Sequence, residues 1–318
     1  MKLSECLRGS LVLVWLLASS DLRALPVRSR SASGSGTARP MEAQIASGLA
    51  VNLPLVARLV GAGNTLYISA VDVSNNDSLD AEVDFYFDGV DLKSGLPLAR
   101  NGSISSSGAL VAQGSVGKMR ARSNAHFDDF IDAMVKAGML DASIETDGFI
   151  GSVLFVFDGF TKRGQGAAQV RFYNSFGGGT VSQALKGYEM TVNEPQALVA
   201  TLRDSRGKPG PQLYGNLFIN NTGITPTGSG TATEISVHVQ AYANSTGQPT
   251  GTPLDTKIGI GQTVGISDAL TALHVPAGED TVLVYVTVSS GTSAIAGVSA
   301  QVDQTTRDGS VVLMSRAD

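Results

Sequence analysis

The stretch AEVDFYFDG at 81–89 returns, altered but in register, as TEISVHVQA at 233–241. In each, a glutamate (Glu82 or Glu234) precedes apolar residues at every second position: Val83, Phe85 and Phe87 in one, Ile235, Val237 and Val239 in the other. A period of two is that of a strand with one face turned to a core. A second echo joins FDDFIDAMVKAG (127–138) to ISDALTALHVPA (266–277), and a third joins GAAQVRFYNSF (166–176) to AIAGVSAQVDQ (294–304). The echoes run in the same order, and their separations shrink along the chain. That pattern describes one unit present twice, with loops of unequal length. It constrains architecture far more than chemistry.

Composition agrees with that architecture. A length of 318 residues suits about two domains. Charged residues make up only 16% and glycines number 37, a balance that favours short strands and tight turns over helices. The net charge of −5 comes without a block of like charge, so no basic face for nucleic acid is present. At the N-terminus, Lys2 and Arg8 precede LVLVWLLA (11–18), an apolar run too short to span a bilayer. This reads as a secretory signal peptide over 1–24, cleaved after Ala24; an uncleaved anchor is the alternative. Cleavage removes Cys6 and Trp15, the only cysteine and tryptophan. The mature chain then has no disulfide, no thiolate chemistry and no thiolate metal site. The expected location is secreted, extracellular or periplasmic, with no membrane span after cleavage.

Residues 25–49 are rich in Ser, Gly and Arg and read as a flexible leader. The first domain is expected over 50–192, a linker over 193–197 and the second domain over 198–318. VNLPLVARLV (51–60) carries Pro54 and suits an edge strand. In LYISAVDVS (66–74) the alternation shifts register near Ala70, which suits a bulge. Strand 81–88 has Glu82, Asp84, Tyr86 and Asp88 on its polar face. Apolar residues at three- and four-residue spacing from Phe127 to Val135 predict a helix of two to three turns, capped by Gly138. GSVLFVFDG (151–159) is apolar almost throughout and reads as a central strand. The fold class expected is all-β: two tandem, immunoglobulin-like β-sandwich domains from an internal duplication, each with one short helix. A jelly roll is the structural rival.

Chemistry is sparse. The three histidines, His126, His238 and His274, share no metal-ligand spacing, and no Gly-x-Ser-x-Gly elbow is present. GIGQTVG (259–265) and GSVGK (114–118) read as hairpin turns. Asp128 and Asp129 start the predicted helix, where acidic residues suit the dipole and the cap; a glycosidase-like pair is the weaker reading. Calcium is the one ion with a candidate site. Asp72, Asn75, Asp77 and Asp80, with Asn76, offer hard oxygens. The alternative is a plain Asx-rich turn. No other cofactor is expected. Six tyrosines, Tyr67, Tyr86 and Tyr173 with Tyr214, Tyr242 and Tyr285, are candidates for stacking on sugars.

The run LPLVARLVGAGNTLYISAVDVSNN, followed by AEVDFYF, resembles secreted bacterial proteins with repeated, mostly uncharacterised β-sandwich modules. The resemblance covers 53–87 and carries over no catalytic residue. It implies the β-sandwich fold and a secreted location, and nothing about a reaction. The function expected is that of a secreted, non-enzymatic binding, adhesion or structural surface protein with a protein or glycan partner. A carbohydrate-binding accessory protein is the alternative, and a carboxylate-dependent hydrolase a weaker one.

Overall fold

The computed structural model describes residues 48–317, apart from 61–65, 96, 113–117, 144–147, 177–178, 191–194, 211, 227–229 and 304–308. For 59–60, 174–176, 179–182, 302–303 and 309 it describes the backbone alone. The signal peptide and nearly all of the leader lie outside the described residues.

The first unit contains β1 (Gly48–Val60), β2 (Leu66–Asn75), β3 (Ala81–Asp91), β4 (Pro97–Ile104), β5 (Leu110–Ala112), β6 (Lys118–Met119) and β7 (Ser123–Phe127). Helix α1 (Phe130–Lys136) follows, then β8 (Phe149–Asp158), β9 (Gly166–Phe176), β10 (Gly179–Lys186) and β11 (Tyr188–Met190). The second unit contains β12 (Ala197–Arg203), β13 (Leu213–Asn221), β14 (Ile235–Ala243), β15 (Pro249–Ile258) and β16 (Thr263–Ile266). Helix α2 (Ala269–Ala272) precedes β17 (Thr281–Ser290), β18 (Ile295–Asp303), β19 (Gly309–Leu313) and β20 (Ser315–Arg316). All ladders between these strands are antiparallel, and the fold is an all-β sandwich fold.

The two units pair their strands in the same order. In the first, β1–β8–β3–β4 is one run and β7 and β9 flank β2, with β10 beyond β9 and β11 on β1. In the second, β12–β17–β14–β15 is one run and β16 and β18 flank β13, with β19 beyond β18 and β20 on β12. Each sequence echo lies on corresponding elements: β3 and β14, α1 and α2, β9 and β18. Besides β5 on β4 and β6 on β3, which have no counterpart in the second unit, one ladder separates the two patterns. In the first unit β1 bends into a hairpin with β2, pairing Arg58 with Ile68, and this joins both layers into a single 11-stranded sheet. In the second unit the longer connection after Arg203 leaves the layers as sheets of five and four strands.

Two sequence expectations are corrected. Pro54 does not mark an edge: β1 lies between β2 and β8, and Pro54 sits where the β1–β8 register shifts, between Leu53 and Val56. A bulge releases one residue from the ladder, so a proline without an N–H is tolerated inside a sheet. Conversely β2 has no bulge, and its pairing with β9 runs unbroken from Tyr67 to Asn75. The apparent shift arises because Ser69 and Ala70 are buried along with Val71; Ser69 Oγ accepts the Ala57 N–H at 2.8 Å.

The first core is built on phenylalanine. Phe85, Phe87, Phe149, Phe155 and Phe157 point inward from β3 and β8, and Phe130 from α1 meets Phe85, Phe87, Phe127 and Phe155. Helix α1 forms because Asp129 caps it, its carboxylate accepting the N–H groups of Ile131 and Asp132 at 3.1 Å each. Gly138, at φ +70°, supplies the left-handed residue beyond its end. The second core is aliphatic, with Leu198, Leu202, Ile219, Val237, Val284 and Leu273 among its buried members.

Candidate functional site

The polar groups that could carry a function gather in two places: the β2–β3 turn with its flanking strands, and the seam between the units. In the turn, every candidate calcium ligand is engaged by the protein. Asn75 is buried; its Oδ1 accepts the Asp77 N–H and its Nδ2 donates to the carbonyls of Leu79 and Met119. Asp77 Oδ1 accepts the Leu79 N–H at 3.1 Å, and its Oδ2 accepts Gln165 Nε2 at 2.6 Å. Gln165 holds the Asp77 carboxyl below its usual range, against a smaller opposing effect of burial. Asp80 Oδ1 accepts the Ala121 N–H at 2.8 Å. The turn is thereby tied to 119–122 on one side and to 164–165 on the other. Among the described residues no group of three or more His, Cys, Asp or Glu side chains is disposed to hold a metal ion.

Asp72 belongs to a different constellation. Strand pairing sets it opposite His126 on β7 and Gln169 on β9. His126 Nδ1 lies 2.7 Å from Asp72 Oδ1, and its Nε2 lies 3.0 Å from Asp128 Oδ1. Asn124 and Gln169 donate to Asp72 at 3.2 and 3.1 Å. Burial pushes the Asp72 carboxyl up, but the hydrogen bonds from His126, Gln169 and Asn124 outweigh it and leave it lowered. The same bonds, Asp72 first and then Asp128, raise His126 above its ordinary 6.5. When protonated, this imidazole donates from both ring nitrogens to carboxylates and offers no lone pair to a metal. Asp129 is equally committed, to the cap of α1 and to an ion pair with Arg58. His238 pairs with Asp255 at 2.9 Å on the outer face of β14, and His274 stands exposed just beyond α2.

Sequence reasoning missed the second place. β8 is buried on both faces: Val153, Phe155 and Phe157 enter the first core, while Ser152, Leu154 and Val156 face the other way and are also covered. What covers them is the second unit. Leu154 and Val156, with Ala50 and Met190, pack on Ile224 and Ala294, and Tyr86 and Tyr188 flank this cluster. Phe218, Val298 and Ala300 from β13 and β18 join the first core directly. A polar line crosses the same seam. Asn52 Nδ2 donates to Asn220 Oδ1 at 3.2 Å, Asn220 Nδ2 to Ser152 Oγ at 3.0 Å, and Ser152 Oγ to the Gly261 carbonyl at 2.9 Å. The Tyr188 hydroxyl reaches the carbonyls of Gly297 and Met314. Gln183 pairs with both backbone groups of Val311, as a neighbouring strand would. The expected linker is likewise docked: the carbonyls of Pro195 and Gln196 accept the N–H groups of Ile295 and Val288. The signal available in the sequence was β8 itself, since a strand apolar on both faces needs two covers.

These features define a double β-sandwich whose units are packed as one body. No helix of the described residues is long and apolar enough to cross a membrane. No family model, curated protein or solved structure matches the chain.

Proposed function

We propose that this is a secreted, non-enzymatic protein that binds or builds at a surface, its scaffold a β-sandwich unit duplicated within one chain. The reading rests on one observation. The side chains that the sequence offered for metal or acid–base chemistry, Asp72, Asp77, Asp80, His126 and Asp129, are each held by partners inside the fold. They serve as structural groups, which leaves the exposed sheet faces and loops to make contact with a partner. The shared pairing order of the two units supports the duplication, and the N-terminal apolar run supports export. The test uses the chain from residue 25 onward, applied to immobilised polysaccharides, matrix proteins and a panel of hydrolase substrates. Saturable binding without turnover is the expected result. Turnover that Asp128→Asn or Asp129→Asn abolishes would establish the hydrolase instead.

A carbohydrate partner is favoured by one feature. Tyr242 and Tyr285 stand together on the outer face of β14 and β17, half-buried, with ring centroids 5.2 Å apart and planes at 74°. One ring braces the other, so an apolar face is held in place at little entropic cost. Tyr285→Ala should then abolish retention on any glycan the protein binds.

A further inference from the structure

The outer face of β3 places one carboxylate directly beneath the second unit. Asp88 lies opposite Ser152 on β8 and Ala99 on β4. It packs so closely on Gly261 that a Cβ added there would collide with its carboxylate. Gly261 itself holds φ +74°, in the turn between β15 and β16. The polar groups nearby are committed elsewhere: Ser152 Oγ to the Gly261 carbonyl, and Asn220 Nδ2 to Ser152 and the same carbonyl. Among the described residues no hydrogen bond or ion pair reaches the Asp88 carboxylate. Two further seam groups on this face, the Tyr86 hydroxyl and Asn52 Oδ1, are buried without a partner among the described residues.

Among the described residues no cation faces Asp88. The 259–262 turn and the facing stretch of β8, 150–154, contain no ionisable residue. On β4 the ionisable side chain is Arg100, whose Nε donates to the Met139 carbonyl. On β3 the titratable neighbours along the face are Tyr86, pushed up to about 12 by burial and then by Asp84, and Asp84 itself, which accepts Ser103 Oγ at 2.6 Å. Asp88 is half-buried as a whole residue, with its carboxylate packed against Gly261, and a carboxylate drawn from water without a partner favours its neutral form. Burial accordingly pushes Asp88 from 3.8 to about 7.

We propose that Asp88 is a proton-operated latch between the two units: protonated, it lies against Gly261 and the units hold as one body; ionised, it draws water into the seam and frees the 259–262 turn. The sign follows from linkage. The latched form keeps its proton to higher pH than the released form, in which Asp88 titrates as an exposed carboxyl. Latching therefore takes up a proton, and the seam weakens as pH rises toward neutrality. Between pH 5.5 and 8.5 the ratio of latched to released protein should fall about thirtyfold.

Hydrogen exchange on the full chain reads this directly, once corrected for the intrinsic rate at each pH. Protection over 84–90 and 259–266 should drop about thirtyfold across that range in the wild type. Asp88→Asn mimics the neutral acid and should show no such drop, whereas Asp84→Asn should retain it. The same drop in Asp88→Asn, or none in the wild type, would overturn the latch. A carboxyl-carbon NMR titration of the wild type decides the matter without a variant: a midpoint near 7 supports the latch, and one in the ordinary Asp range refutes it.

Discussion

Asp129 and Asp268 occupy corresponding places ahead of the two short helices, and they ought to respond very differently to removal. Asp129 accepts two backbone N–H groups of α1 and pairs with Arg58. Both side chains are nearly buried, at 11% and 13% exposure, so screening by water is weak. Loss of the cap costs about 1 kcal/mol. Stripping a part-buried guanidinium of its carboxylate adds about 1–3 kcal/mol, since Arg58 cannot shed its charge. Asp129→Ala should therefore destabilise the fold by about 2–4 kcal/mol. Asp268 makes no side-chain cap bond and sits at φ +40°, a conformation glycine adopts freely. Asp268→Gly should change stability by less than about 0.5 kcal/mol. Urea unfolding followed by fluorescence and circular dichroism measures both. Adding Arg58→Met to Asp129→Ala should recover part of the loss, because the charge that lost this carboxylate is then gone. If the two single variants prove equal, or the double variant recovers nothing, the ascription of this cost to capping and pairing is wrong.

Three further outcomes follow from the same geometry. Gly151→Ala should prevent folding or cost more than about 4 kcal/mol, because a Cβ there would overlap the Asp88 carbonyl and the Phe149 ring; soluble yield and melting temperature report it. In the Asx turn, Asn75→Ala should cost about 1–3 kcal/mol through the part-buried Leu79 and buried Met119 carbonyls it abandons, while calcium or chelator leaves the wild-type midpoint in place; a midpoint raised by calcium would restore the ion site. The Asp72–His126–Asp128 group should contribute little, within about 1 kcal/mol, because His126 is half exposed. Its sign is fixed: the raised His126 contributes most below its ordinary 6.5 and fades as pH climbs past its folded value, while the lowered Asp72 contributes above 3.8 and fades in acid. Comparing His126→Ala with wild type across that range checks it.

The repeated strand and helix signals were legible because each rests on a local period. Val83, Phe85 and Phe87 are fully buried as their alternation requires, and α1 falls within the predicted helix. What a local pattern cannot report is who covers a face. Tyr86 and Asp88 looked like solvent-facing residues of β3, yet the second unit lies over both. Pro54 looked like an edge marker because a sequence does not show where a ladder slips. Asp72 looked like part of the turn that follows it; only the pairing of β2 with β7 brings it to His126, 54 residues away. Long-range pairing thus assembled the polar groups, and the sequence preserved no trace of that spacing.

The seam also accounts for where the two units differ. It joins unlike faces: the outer side of β1, β8 and β3 in the first unit meets β13, β16 and the loops beside them in the second. Such head-to-tail packing covers one face of each unit and leaves the corresponding face of the other bare. β8 and its counterpart β17 record the difference. Outward residues of β8 are Ser152, Leu154 and Val156, all buried; those of β17 are Leu283, Tyr285 and Thr287, none of them buried. The inward residues stayed apolar in both strands, because each unit still needs a core. The outward ones match whatever lies over them, and the bare strand is polar and carries a tyrosine. Severing the chain before Pro195 should therefore expose Phe218 and Ile224 on the second unit, and that fragment alone should aggregate unless the first is supplied to cover it.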